Sequence, residues 1–174
     1  RWGMAQPPFE MADRVGFDVV AQDGRADGCQ NWTSILMQDR RKGMQTGRGY
    51  YTHSPVTLPK PDPEALRLIN DQRPEQAAMP DDLIVRRILG ALANEGAKAL
   101  RAGVVPRAGD IDVTSVFTQL IPNWRGGVMH AAGHGGLLKT TRAMGAVDHP
   151  DQDLWTPDPI FAELIKYGRS FDDL

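Results

Sequence analysis

A chain of 174 residues has room for one well-formed hydrophobic core or two small ones, and 41% hydrophobic with 24% charged residues is the composition of an ordinary globular protein. Twenty basic against twenty-two acidic residues leave a net charge of -2 and no long basic run, which excludes a broad nucleic-acid footprint. The single Cys29 excludes an internal disulfide and a zinc-finger spacing, no apolar run nears the roughly 20 residues of a membrane helix, and RWGMAQPP has no signal-peptide core. The expected location is therefore cytoplasmic, in a reducing compartment, and an arginine at position 1 suggests a piece of a longer protein.

Pro7 and Pro8 open a helix in which Phe9, Ala12, Gly16 and Val19 recur at helical spacing, with Glu10 and Asp13 in its first turns. Gln22 to Trp32 is Gly/Asp-rich and reads as a loop, and the Asn31-Trp32-Thr33 sequon lacks the secretion signal that would give it meaning. Ser34 is placed to cap a helix from Ile35 to Lys42, stopped at Gly43. Arg40, Arg41 and Lys42 then face its C-terminus, the ordinary use of such a cluster, with a phosphate-binding patch as the alternative. In GMQTGRGYYTH, Gly47 and Gly49 predict a tight turn into a short extended segment. Its T-G-x-G lacks the strand-to-helix context of a phosphate loop.

Ser54 to Pro63 carries Pro55, Pro59, Pro61 and Pro63 and reads as an extended connector and the natural boundary. Asp62 and Pro63 start a helix over Glu64 to Asp71, with Leu66 and Ile69 inward, and Arg73 to Pro80 links it to the next element. That element is a long helix with Asp81 as N-cap and Gly103 as left-handed stop. Around Leu92, the residues Val85, Ile88, Gly96, Ala99 and Gly103 fall within about 40°, an apolar stripe that predicts docking on one side. Arg87, Asn94, Lys98 and Arg101 lie opposite. Glu95 sits at the edge of the stripe, where a carboxylate needs a partner. Gly90 and Gly96 each cost about 1 kcal/mol against alanine in a helix, so Gly96 on the buried face implies close approach of another helix.

A shorter helix, DIDVTSVF, and a break at PNWRGG follow. Leu137 to Met144 is a short helix closed by Gly145, DHPDQDLW is a loop, and Thr156 with Pro157 starts a last helix that buries Ile160, Phe161, Leu164 and Ile165 and stops at Gly168. Nearly every periodic segment repeats at three and four residues, so the chain is expected to be all-α, with at most one hairpin near residues 47 to 58.

Motifs that carry chemistry are sparse. His130 and His134 share a helix face in the geometry of a two-histidine metal site, but no glutamate lies between them, and a surface pair is the plainer reading. Asp148, Asp151 and Asp153 lack the glycine and closing glutamate of an EF-hand. Cys29 and Ser115 have no positioned base and read as structural. Trp124 and Arg125 are expected to cap the core. No stretch supplies strand, Gly-x-Gly-x-x-Gly and helix, so no dinucleotide site is expected.

RILGALANEGAKALRAGVV, DIDVTSVF and PNWRGG in succession resemble the C-terminal helical domain of the 3-hydroxyacyl-CoA dehydrogenases, in particular the second copy found in multifunctional fatty-acid β-oxidation enzymes. The match spans most of residues 83 to 135. GMAQPPFEMADRVGFDVV is similar to the first-copy motif through Pro8, Phe9, Asp13, Gly16 and Asp18. Aligning PPFEMADRVG with PNWRGGVMHAAG, Phe9 on Trp124 and Gly16 on Gly133, suggests an internal repeat. Thr118, Gln119 and Leu120 replace the family's Gly-x-Gly, Asn123 and Val128 replace prolines, and Gln45 replaces the lysine of a Lys-Thr-Gly-x-Gly-aromatic-Tyr element, so the resemblance is to a divergent member.

The resemblance implies two tandem helical copies: 1–53 a partial first copy lacking its leading helix, 54–80 a Pro-rich connector with one helix, and 81–174 the second copy. It implies an enzyme that oxidises 3-hydroxyacyl-CoA with NAD, in which NAD and the His/Glu acid/base pair belong to a preceding Rossmann domain outside this chain. This chain would close the acyl-CoA cleft, contact that domain and form subunit interfaces, including a homo-oligomer. It would be inactive alone. The Asn94-Glu95 pair matches the second-copy helix, and substrate contact is the role considered for it, beside a hydrogen bond from Glu95 to a neighbouring helix end. The competing reading is a helical protein-interaction module unrelated to acyl-CoA.

Overall fold

A computed structural model describes residues 3, 7–21, 32–72, 78–149 and 151–174. The expectations for Cys29, for most of the Gln22–Trp32 loop and for much of the Arg73–Pro80 link fall outside these residues. The described chain is mostly helical, with two short strands, as the periodicity requires. Its contacts divide it into two compact units, Gln6–Ala78 and Met79–Leu174, the latter taking in Arg1–Ala5. No helix among the described residues is long and apolar enough to cross a membrane.

In Gln6–Ala78, α1 (Pro8–Val15) and α2 (Phe17–Val20) are separated at Gly16, whose φ of 99° stops one helix and redirects the chain. The expected apolar face is therefore not the buried one. Phe9 and Val19 remain 51% and 56% exposed, whereas Asp13 and Phe17 are fully buried. The next helix, α3 (Trp32–Gln38), begins before Ser34 and ends well before Gly43. Arg40 takes the left-handed position at φ 58°, with Arg40 N–H donating to Met37 O (2.9 Å) and Arg41 N–H to Leu36 O (3.2 Å). This is the helix-closing arrangement in which glycine usually stands.

Gly47, at φ 69°, turns the chain into β1 (Tyr51–Thr52), which pairs antiparallel with β2 (Lys60–Pro61) in the register Tyr51↔Pro61 and Thr52↔Lys60. The proline-rich stretch thus supplies a strand to this unit. Asp62 caps α4 (Pro63–Gln72) through Glu64 N–H at 2.9 Å, as expected. Leu66 points outward at 52% exposure. Ala65 is the buried residue of α4, and Leu68 and Ile69 pack with it against Phe17 and Leu36.

In the second unit α5 (Asp81–Arg101) is the central element. Pro80 occupies the N-cap position and Asp81 is already helical, while Gly103 closes the helix at φ 70° as expected. Its buried residues are Leu89, Gly90, Ala93, Asn94, Gly96 and Ala97. That face is rotated by roughly a third of a turn from the one centred on Leu92, and Ile84 and Ile88 stay 41% and 45% exposed. The helix is docked on that one side, as expected, with Ile84, Ile88 and Glu95 left exposed: α7 (Val128–His134) and α8 (Leu137–Gly145) make the main contacts, and α6 (Ala108–Phe117), α9 (Gln152–Trp155) and α10 (Pro159–Tyr167) complete them. Small residues let the neighbours come close. A Cβ on Gly96 would lie 2.6 Å from Met129 Sδ, and one on Gly90 2.8 Å from Met144 Cγ.

α9 forms inside the segment expected as a loop. Asp158, not Thr156, caps α10 by accepting from Ile160 N–H at 3.1 Å, with Pro159 at the first helical position. Phe161 and Leu164 are buried as expected, and Phe161 meets Phe171 edge-on at 5.1 Å.

Candidate functional site

Asn94 is fully buried, not on a polar face. Its Nδ2 donates to Leu154 O (3.1 Å) and Thr156 O (2.9 Å), and its Oδ1 accepts from Asp158 N–H (2.7 Å). One side chain of α5 thereby holds the α9–α10 connection. Arg101 Nε adds a 2.8 Å bond to Asp158 Oδ2 from about two helix turns further on. Glu95 is exposed and accepts from Lys98 Nζ at 2.9 Å; the same ammonium donates to Asp153 Oδ2 and Asp153 O, each at 2.9 Å. Partial burial pulls the Lys98 ammonium down, but Glu95 and Asp153 outweigh it and hold the group above its ordinary value. The partner Glu95 needed is a lysine on its own helix rather than a helix end.

The PNWRGG break is locked by α6. Asp112 Oδ1 accepts from Met129 N–H (2.6 Å) and Oδ2 from His130 N–H (3.1 Å), while Ser115 Oγ accepts from Val128 N–H (3.2 Å). Burial pushes the Asp112 carboxyl up despite these amides. Gly127 lies at φ 112°, and a Cβ there would sit 2.4 Å from Asp112 Cβ, so the second glycine is required by this close approach. Ser115 is structural, as expected.

Between the first half of α5, the turn Asn123–Arg125 and α7 lies a cleft of about 650 Å³, within the range of small-molecule sites. Asp81, Asp82 and Arg86 line it from α5, Trp124 and Arg125 from the turn, and His130 and His134 from α7. Trp124 does not cap the core: it is 68% exposed, with the Arg125 guanidinium 4.1 Å from its ring centroid. The two imidazoles stack 6.1 Å apart, and His130 Nδ1 lies 3.0 Å from Asp172 Oδ1. No group of three or more metal-ligating side chains occurs among the described residues. In the acidic string Asp151 caps α9 and Asp153 pairs with Lys98.

Gln6–Ala78 contains a buried polar centre that the sequence pattern did not reveal. Asp13 accepts from Tyr50 N–H and Tyr51 N–H at 2.9 Å each and lies 2.7 Å from His53 Nε2. Arg41, 1% exposed, donates to Asp62 Oδ2 (2.7 Å), Asp39 Oδ2 (2.9 Å) and Gly49 O (3.2 Å). It therefore neither faces the end of α3 nor forms a phosphate patch. Burial opposes ionisation of Asp62, but Arg41 and the α4 amides hold its carboxyl below the usual range. The T-G-x-G turn closes around Asp13, since a Cβ on Gly49 would overlap its carboxylate at 2.1 Å. The signals available in the sequence were Asp62-Pro63 before a helix and the Arg40-Arg41-Lys42 cluster, and neither records that Arg41 and Asp62 meet.

No family model matches the chain. The peroxisomal bifunctional enzyme of Danio rerio is 33% identical over 194 aligned positions, covering 96% of this chain and 27% of that protein. The peroxisomal fatty acid beta-oxidation multifunctional protein AIM1 of Arabidopsis thaliana is 32% identical over 144 residues, covering 74% of this chain and 20% of its own length. The chain is homologous to one segment of the β-oxidation multifunctional proteins. The corresponding protein of Oryza sativa subsp. japonica, 28% identical over 176 residues, covers 88% of the chain and 24% of its own length. This segment thus spans about a fifth to a quarter of the relatives it matches, the class in which its sequence resemblance lay.

These relatives are named peroxisomal, and a similar protein of Cucumis sativus glyoxysomal, which overturns the cytoplasmic expectation. Cysteine content and the lack of a long apolar run report redox conditions and membrane spans, whereas a peroxisomal address is a short receptor-read signal.

Proposed function

We propose that the chain is the C-terminal helical part of an NAD-dependent 3-hydroxyacyl-CoA dehydrogenase in a peroxisomal multifunctional β-oxidation protein. The observation that carries this reading is homology to such proteins over 74% to 96% of the chain, joined to a helical fold in which the resembling motifs form α5, α6 and the turn into α7. In this reading residues 81–174 hold the second copy, and α1 with the turn around Asp13 belongs to a partial first copy. NAD supplies the hydride acceptor in the intact enzyme. The residues here do not fit it: a pyrophosphate site needs a strand feeding a glycine loop and a helix, whereas β1 and β2 are two-residue antiparallel strands and the Gly47–Gly49 turn encloses Asp13. The cofactor and the acid/base pair are therefore assigned to a preceding Rossmann domain, and no step is carried by this chain.

What this chain contributes is shape and position. Asn94 keeps α9 and α10 against α5, and exposed Glu95, steadied by Lys98, is the member of the pair with access to a substrate. Dehydrogenase assays on the parent protein with and without residues 1–174, and on this chain alone, test the proposal. Loss of 3-ketoacyl-CoA formation on deletion, together with no NAD binding to the isolated chain, is expected. Undiminished dehydrogenase turnover in the deleted parent would refute it and favour the interaction-module reading.

A further inference from the structure

We propose that His130 and His134 form a divalent transition-metal site of the zinc class, with Asp172 holding the first of them ready for the ion. The proposal rests on α7 and the turn Phe171–Asp173 and does not require the dehydrogenase reading. Four residues apart on α7, the two imidazoles lie on the cleft side of that helix with their planes 12° apart and their centres 6.1 Å apart. Two imidazole nitrogens bound to one ion at about 2.0–2.1 Å each leave the ring centres no more than about 6.5 Å apart, so the pair is within chelating reach once the His134 ring turns. His134 can turn without breaking a hydrogen bond, because its exposed ring makes none among the described residues.

His130 is already set. Its Nδ1 lies 3.0 and 3.1 Å from the two Asp172 oxygens, and an ionised carboxylate only accepts, so in the neutral ring Nδ1 carries the proton and Nε2 keeps its lone pair. Asp172 is held in turn, its N–H donating to Ser170 Oγ at 3.1 Å. The other edge of the ring packs on Gly126, where a Cβ would come within 2.5 Å of His130 Cδ2. A carboxylate behind a histidine is the arrangement that orients metal ligands. The donor set narrows the ion: two neutral imidazoles with no thiolate suit Zn²⁺, Ni²⁺ and Cu²⁺, not Mg²⁺ or Ca²⁺. No third metal-ligating side chain groups with them among the described residues, so the remaining positions face the cleft and are left to water or a small ligand. The two ligands span the last turn of α7, which runs into Gly135 and Gly136, and the ion clips the helix where these glycines leave it weakest.

Calorimetry and thermal unfolding of the metal-stripped 174-residue chain with Zn²⁺ and with Mg²⁺ test it. A single Zn²⁺ should bind per chain at micromolar concentration and raise the unfolding temperature, and Mg²⁺ should do neither. His130→Ala and His134→Ala should each weaken binding at least about tenfold, and Asp172→Ala, which keeps both ligands, should weaken it by about 10–100-fold. His149→Ala should leave it unchanged. Unfolding of each variant without metal reports whether it has folded; His134 is exposed, so His134→Ala keeps the fold and decides the case even where His130→Ala does not. The proposal is overturned if Zn²⁺ binds only at millimolar concentration, if His134→Ala binds it as tightly as the parent chain, or if Asp172→Ala does, since the pair is then an adventitious chelate only.

Discussion

Asp13 and Asn94 show how a single polar side chain inside a small unit can organise its neighbours. Removing a buried acceptor strands its donors, at about 1–3 kcal/mol for each group left unsatisfied. Asp13→Ala leaves the Tyr50 and Tyr51 amides and the His53 ring without their acceptor, so Gln6–Ala78, whose apolar core centres on Phe17, Leu36 and Ala65, should lose several kcal/mol. Chemical denaturation should show a midpoint shift larger than that of Phe9→Ala at an exposed position. The pH dependence follows from two carboxylates with opposite shifts. Asp62 is held below its ordinary value, so its contribution is present above the usual carboxylate range and is lost as pH falls through its folded value. Asp112 is pushed up, so its ionised form costs stability, and that cost is relieved as pH falls through its raised value. Amide exchange, corrected for intrinsic rate, should therefore accelerate at Glu64 and Ala65 only on acidification through the lowered folded value of Asp62, whereas at the higher pH where Asp112 takes up its proton the exchange of Met129 and His130 should not accelerate.

At the level of elements, the course of α5 is decided by what its small residues admit. A wheel weighted by large apolar side chains selects Val85, Ile88 and Leu92, but Gly90, Ala93, Gly96 and Ala97 allow α7 and α8 to approach, and close packing outweighs side-chain size. The same physics makes Gly127 the least replaceable residue in the turn into α7. Gly127→Ala combines a positive φ with overlap on Asp112 and should cost about 1–3 kcal/mol from the backbone alone. Calorimetric unfolding should show a clear fall in transition temperature, whereas Gly103→Ala, with open space around its Cβ, should show only the backbone part. Comparable losses at the two positions would mean that Asp112 does not hold the turn.

For the whole chain, Phe9, Met11, Val15 and Val19 remain between 39% and 56% exposed on α1 and α2, although Phe9 touches Tyr50 at a ring distance of 4.5 Å. Such apolar surface is commonly covered by another chain or segment, and the chain is expected to self-associate at high concentration, with Phe9→Asp weakening association. Sedimentation velocity checks this. A strict monomer at high concentration, with Phe9→Asp unchanged in stability, would remove the support for an incomplete first copy.

Local chemistry determined the helical class, the caps at Asp62, Gly103 and Gly168, and the short extended segment after Gly47, because turn residues and helix ends are set by groups a few positions apart. Motif order along α5, α6 and PNWRGG was enough to reveal the kinship with β-oxidation proteins. Tertiary structure alone decided that Asn94 faces inward, that Arg41 is buried on Asp62, that Asp13 holds a turn 37 residues away, and that Trp124 with Arg125 and Arg86 line one cleft. Each of these joins groups far apart in the chain, and the energy that selects them comes from satisfying polar atoms withdrawn from water, a condition that no local pattern of residues records.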